Sequence, residues 1–242
     1  MKAVIVKNLS YRYQAEGKDI LKNISFDVIR GEIITLMGLS GCGKSTLCCC
    51  LSGIIPNCQG GIMEGEVLIN GIDTRDYGVA RLAREVGIVF QDPDTQLFSP
   101  TVEDEIAFAP ENMCLSPIRI RERMDYAVDL LGIGSLRNAN PHQLSGGEKH
   151  LVALASVLTL DPSVLVLDEA LSQLDHAGRR KVAHALEKLR SQGKTIIAVE
   201  HDLKTAVIAD RIMVMQNGEL TRYEPRETFL ADRDFLLASR LI

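Results

Sequence analysis

Residues 38–46 read Gly38-Leu39-Ser40-Gly41-Cys42-Gly43-Lys44-Ser45-Thr46, and no other segment limits the architecture so tightly. Just upstream, Glu32-Ile33-Ile34-Thr35-Leu36-Met37 is a nearly continuous apolar run, which suits a strand covered on both faces. A glycine-rich turn that follows such a strand and opens a helix matches G-x-x-x-x-G-K-[ST] in the setting the motif needs. Glycines let successive backbone N–H groups curl round an anion, because side chains would block its approach. Lys44 can then reach β- and γ-phosphates, the Ser45 hydroxyl can ligate Mg²⁺, and the helix N-terminus adds partial positive charge. The segment thus calls for a strand–loop–helix unit that holds a phosphate-bearing ligand.

The flanking pattern extends this unit into an α/β sheet. Strand-like stretches fall at 3–6, 24–28, 65–69, 86–90, 164–167, 195–199 and 211–215, with Asn70-Gly71 and Asn217-Gly218 as hairpin turns. Between about 101 and 160 the reading is helical. Thr101 precedes Glu103, Asp104 and Glu105 at one helix start, and Ser116-Pro117 opens a second helix that reaches Leu131. A third, over 148–159, places Leu151, Leu154, Ala155 and Leu158 on one stripe, and Val182, Ala185, Leu186 and Leu189 stripe a later one. This alternation predicts a mostly parallel sheet carrying a helical insertion. At 242 residues the chain is one large domain or two small ones, long enough to bury its own core.

Charge and cysteine usage narrow the function classes. The balance of 27 Lys+Arg against 32 Asp+Glu, −5, argues against a broad nucleic-acid grip. No apolar run approaches the ~18 residues of a membrane span. The first residues run directly into a strand pattern without a signal peptide, so the expectation is a soluble, cytoplasmic chain. Cys48, Cys49 and Cys50 are consecutive and would fan round a helix instead of converging on one metal; Cys42, Cys58 and Cys114 show no C-x-x-C spacing. The six read as reduced structural thiols, with a reactive Cys42 beside bound phosphate as the alternative.

Three further clusters carry chemistry. Asp168-Glu169 ends the 164–167 strand, where ligands of open α/β sheets gather. Asp168 suits a Mg²⁺ shell, and Glu169 is placed to polarise an attacking water. His201 follows the 195–199 strand on the same presumed edge and could bond a γ-phosphate oxygen. Leu144-Ser145-Gly146-Gly147-Glu148 precedes a helix, as a second anion-binding terminus or as a plain helix cap.

Together these residues resemble the ATPase cassette of ABC transporters, across essentially the whole chain. The resemblance implies a P-loop NTPase (RecA-like) fold, a mostly parallel α/β core with an N-terminal antiparallel β subdomain and a helical signature subdomain. It implies one ATPase domain over 1–242: core at about 1–90 and 160–224, Q-loop and helical part at 91–160, and a helical tail at 225–242. It brings ATP and Mg²⁺ as cofactors. Gln91 matches the Q-loop glutamine that touches Mg²⁺, and Ser172-Gln173-Leu174-Asp175 matches the D-loop. Tyr13 matches the aromatic that stacks on adenine, although Tyr11 shares its strand parity. In such cassettes two subunits face head to tail, each ATP lying between one phosphate loop and the partner's signature residues, here Ser145, Gly146, Gly147 and Glu148.

A narrower likeness covers 90–112, which resembles the Q-loop region of energy-coupling factor importers, the group that includes cobalt-type ATPases. There the segment forms a groove for an arginine-bearing coupling helix, so Asp92, Asp94, Glu103 and Asp104 are expected partners by charge. The resemblance implies a peripheral subunit on the cytoplasmic face of the cell membrane. It would couple ATP hydrolysis to uptake of a vitamin or transition-metal ion, with a second cassette, identical or not, a transmembrane coupling subunit and a substrate-binding membrane subunit. The chain departs from the usual pattern at His150 and Leu151 (glutamine and arginine), Ala170 (proline) and His176 (proline). None of these removes a phosphate, Mg²⁺ or water ligand. The competing class is a soluble ABC-type ATPase acting on ribosomes or DNA; a nucleotide-sensing module fits Glu169 and His201 poorly, and a metabolite kinase leaves 144–148 unexplained.

Overall fold

The computed structural model describes residues 1–172, 174–200, 203 and 208–239. In chain order the elements are β1 (Lys2–Arg12), β2 (Leu21–Ile29), β3 (Ile33–Met37), α1 (Lys44–Leu51), α2 (Ile54–Asn57), β4 (Ile62–Ile69), β5 (Ile72–Asp73), α3 (Val79–Leu82), β6 (Val86–Val89), α4 (Val102–Asn112), α5 (Pro117–Leu131), α6 (Gly146–Leu158), β7 (Val164–Asp168), α7 (His176–Ser191), β8 (Thr195–Val199), β9 (Arg211–Gln216), β10 (Glu219–Pro225), α8 (Arg226–Ala231) and α9 (Arg233–Ala238). Two sheets result. β2-β1-β4-β5 is antiparallel, and β10-β9-β3-β8-β7-β6 is parallel throughout except for its β10–β9 edge. The sheet's parallel order brings the carboxyl ends of β3, β6, β7 and β8 to one edge.

The continuous apolar strands are buried at every position because helices and a second sheet cover both faces. Along β7, Val164 and Val166 join the core beneath α1 and the antiparallel sheet, whereas Leu165 and Leu167 join the core that holds α6 and α7. β8 divides likewise, with Ile197 and Val199 on one side and Ile196 and Ala198 on the other. A third, smaller core ties the sheet edge to the last helices through Met37, Ile212, Val214, Phe229 and Leu236.

Helix starts follow their caps. The Thr101 hydroxyl accepts from the Asp104 N–H at 3.1 Å, and Ser116-Pro117 opens α5, which ends at Leu131 with Gly132 in a left-handed C-cap. α6 differs from expectation at its start. It begins at Gly146, not Glu148, because Ser145 and Glu148 form a complete capping box. It is also buried without a break from His150 to Leu158, since it threads between α4, α5 and β6, so the stripe of Leu151, Leu154, Ala155 and Leu158 is buried together with its neighbours. No helix of the described residues is long and apolar enough to cross a membrane.

Candidate nucleotide site

Backbone geometry shapes the loop between β3 and α1. Gly38 sits at φ 151°, and a Cβ there would lie 2.4 Å from the Met215 carbonyl oxygen, so no side chain fits. Gly43 sits at φ 106° as N-cap of α1, where a Cβ would press on Leu21 and the Ile20 carbonyl. Lys44 is buried, and its ammonium donates to the carbonyls of Gly38 at 2.9 Å and Leu39 at 3.2 Å. An ammonium has three donors, so an anion seated in the loop can take the third.

Ser40, Gly41, Gly43, Lys44, Ser45 and Thr46 share one cleft of about 260 Å³ with Gln91 and Glu169. Gln91 follows β6 and Glu169 follows β7, so adjacent parallel strands deliver both to the loop. The Gln91 amide donates from Nε2 to Glu169 Oε2 at 2.7 Å. Glu169 has φ 53°, a left-handed conformation that costs a non-glycine residue on the order of 1–3 kcal/mol and that concentrates at functional sites. Asp168 is buried at the tip of β7 beside α1, near enough that its charge helps raise the Cys48 and Cys49 thiols.

The donor set suits Mg²⁺. The Ser45 hydroxyl, the Gln91 amide oxygen and the Asp168 carboxylate are hard oxygen donors, and Mg²⁺ is ordinarily held by one or two carboxylates with substrate phosphates. Among the described residues no group of three His, Cys, Asp or Glu could hold a metal ion.

The two tyrosines part company. Tyr11 is fully buried, with its hydroxyl donating to the Gly60 carbonyl at 3.0 Å. Tyr13, one residue past the end of β1, is 51% exposed, and its hydroxyl lies 3.2 Å from Thr46 Oγ1 at the start of α1. Only Tyr13 has a face open to a base. His201 and Gln173 lie outside the described residues.

The 145–148 segment forms the helix cap. The Ser145 hydroxyl donates to Glu148 Oε2 at 2.7 Å and the Ser145 N–H donates to the same oxygen at 2.9 Å, which holds the Glu148 carboxyl below its usual value. Ser145 is nonetheless exposed, and it does not line the cleft. Asp175 caps α7 by accepting from the Gly178 N–H at 2.7 Å.

The acids of the 92–104 stretch also have partners within the chain. Asp92 accepts from the Asp94 N–H, Asp94 pairs with Lys149 at 2.6 Å, Glu103 pairs with Arg137 at 3.5 Å, and Asp104 accepts from Thr101. Two features of this segment escaped sequence reasoning. Glu105 is buried and accepts from the Phe98 and Ser99 N–H groups at 2.9 and 2.8 Å, fixing the loop ahead of α4. That loop presents Phe98, 60% exposed, against Phe108, 46% exposed, edge to face at 4.7 Å between ring centres. Nothing local in the sequence signals either contact. Nor is Cys42 activated: burial raises its thiol, against the lowering influence of Lys44.

Comparison with known proteins shows which family the chain resembles. The profile of the ABC transporter family matches residues 21–172. A protein of Methanosarcina mazei described as a putative ABC transporter ATP-binding protein is 40% identical over 222 residues; the match covers 91% of this chain and only 38% of that relative's length. The energy-coupling factor transporter ATP-binding protein EcfA of Methanosarcina acetivorans is 41% identical over 228 residues, covering 94% of this chain and 81% of its own. Among solved structures, cbiO1 of Clostridium perfringens, part of the ABC transporter complex cbiONQ, superposes with a TM-score of 0.84 at 33% identity over 99% of this chain and 95% of its own. The ATP-binding cassette MJ0796, a dimer bound to ADP and Pi, gives 0.81 at 29% identity over 92% and 98%.

Proposed function

The chain belongs to the ABC transporter family, and on that footing we propose that it is the ATP-binding and ATP-hydrolysing subunit of an energy-coupling factor-type membrane importer. The observation that carries the reading is the shared cleft of Lys44, Ser45, Gln91 and Glu169 at the carboxyl edge of the parallel strands. In it the loop amides and Lys44 hold the β- and γ-phosphates, and Tyr13 stacks on the adenine. Ser45, Gln91 and Asp168 would hold Mg²⁺, which when bound neutralises charge on the phosphate oxygens. Glu169 orients and polarises the attacking water, so positioning and charge neutralisation supply most of the rate.

The signature residues Ser145, Gly146, Gly147 and Glu148 lie outside their own cleft, which supports a head-to-tail pair in which they close on the partner's ATP. A second cassette, identical or not, therefore completes each site; the dimeric MJ0796 cassette supports this arrangement. On this reading 1–242 works as one ATPase domain, and the 91–160 part carries closure to the membrane subunits. The likeness to EcfA and to cbiO1 of the cbiONQ complex supports a peripheral subunit on the cytoplasmic face of the membrane. Its partners would be a transmembrane coupling subunit and a substrate-binding membrane subunit, and the cargo a vitamin or a transition-metal ion. The exposed Phe98–Phe108 pair fits an apolar face of a partner helix, and the acids of 92–104 fit an arginine on it by charge. Calorimetry with Mg·ATP followed by assay of phosphate release tests the reading: saturable heat and turnover are expected, and absence of both removes it.

A further inference from the structure

His150 departs from the glutamine usual at its position, and its surroundings give it work. It is 2% exposed, and its ring lies between two backbone carbonyls. Nδ1 is 2.9 Å from the Gly146 oxygen, one turn back on α6, and Nε2 is 3.2 Å from the Gln91 oxygen. Gln91 is the residue whose side chain reaches Glu169 in the cleft, and Gly146 follows the Ser145 cap. Lys149, the preceding residue, pairs with Asp94 at 2.6 Å and ties the same two segments a second time.

We infer that His150 is a positioning residue that couples the chain's own nucleotide cleft, through the Gln91 backbone, to the signature end of α6. The inference rests on the cassette reading above, in which that end addresses the partner's ATP. A neutral imidazole carries one N–H, so it donates to one of the two carbonyls at a time. A single bond of this kind changes an equilibrium by roughly 2- to 10-fold, enough to bias the register of α6 and small enough to break in each cycle. Glutamine retains the link in principle, because its amide has two N–H donors for the two oxygens, whereas leucine fills the space with none.

Hydrogen exchange on the full chain, kept monomeric as judged by light scattering, tests this with the non-hydrolysable analogue AMP-PNP and Mg²⁺. In the unaltered protein the analogue should slow exchange both at 38–46 and at 145–149. His150→Leu should keep the first response and lose at least half of the second, and His150→Gln should restore it. If the leucine variant does not fold, His150→Met carries the same comparison. An intact response at 145–149 in the apolar variant, or none there in the unaltered protein, overturns the inference while the nucleotide reading stands. No response at 38–46 overturns the nucleotide reading, and the inference with it.

Discussion

Gln91 and Glu169 are hydrogen-bonded through their side chains, 2.7 Å apart and 78 positions apart in sequence. Each follows the tip of one of two neighbouring parallel strands, so the register of β6 on β7 sets their spacing. The bond uses the amide nitrogen of Gln91 and leaves its oxygen as the atom available to a cation. Glu169, held in a left-handed backbone conformation, lines the same cleft as Lys44 and Ser45.

Replacing Glu169 with glutamine keeps the shape and removes the carboxylate proposed as the base. Mg·ATP affinity is expected to stay within about threefold, while turnover falls by roughly 10²–10⁴, the usual contribution of a positioned general base. Calorimetry and single-turnover phosphate release measure the two quantities separately. Near-normal turnover would exclude Glu169 as the group that activates water.

Lys44→Met should act on affinity first. Its ammonium meets two loop carbonyls and, on the proposed reading, a phosphate oxygen of ATP, and hydrogen bonds to charged groups contribute about 1.5–3 kcal/mol. Nucleotide affinity should therefore drop by roughly 10- to 100-fold. Titration with a fluorescent ATP analogue reads this directly, and an unchanged dissociation constant would count against the loop as the phosphate seat.

The tyrosines give opposite expectations. On the proposed reading Tyr13→Ala removes a stacking face worth about 1–3 kcal/mol and should weaken ATP binding by 5-fold or more, whereas Tyr13→Phe keeps it. Tyr11→Ala excavates the core under the antiparallel sheet and should lower stability by about 3–5 kcal/mol. Denaturant unfolding and nucleotide titration on both variants separate the roles; equal losses of affinity would undo the assignment.

Local signals were legible in the sequence wherever a residue acts on its neighbours. The β3 run, the glycines of 38–43, the Thr101 and Ser116 starts and the Asn70-Gly71 and Asn217-Gly218 turns all stand where their chemistry puts them. Strand parity failed for Tyr11 and Tyr13 because β1 ends at Arg12, after which alternation no longer governs. The stripe read on α6 is buried, but tertiary packing buries its neighbours as well, which the pattern alone did not signal. What stayed hidden is long-range: Gln91 with Glu169, His150 with the Gln91 carbonyl, and Lys149 with Asp94 join residues 55 to 78 positions apart. No periodicity encodes such pairs; they follow from sheet order and helix docking.

On the helical side, Phe98→Asp should break capture of a membrane partner without touching the nucleotide cleft. The ring is mostly exposed and its removal leaves Leu97 and Glu105 in place beneath the loop. In detergent extracts the variant should lose most co-purifying membrane subunit, while ATP affinity stays within about twofold. Undiminished co-purification would move the docking surface elsewhere.

The cysteine run of α1 predicts an alkaline weakness. Burial, then the charge of Asp168, pushes the Cys49 thiol up to about 11, and burial raises Cys48 and Cys50 further. A thiol whose folded pKa exceeds its unfolded value stabilises the fold below the unfolded value, near 9, and loses that contribution as pH climbs through the folded one. Melting temperature should therefore fall steadily between about pH 9 and 11, and a Cys48→Ala, Cys49→Ala, Cys50→Ala variant should show a shallower slope even if it is less stable at neutrality. Iodoacetamide near pH 8 should label the exposed Cys58 and Cys114 first and the buried Cys48 and Cys50 only on unfolding. Rapid labelling of Cys48 in the folded protein, or an unaltered alkaline slope in the triple variant, would show that α1 is not packed against the β7 tip as described.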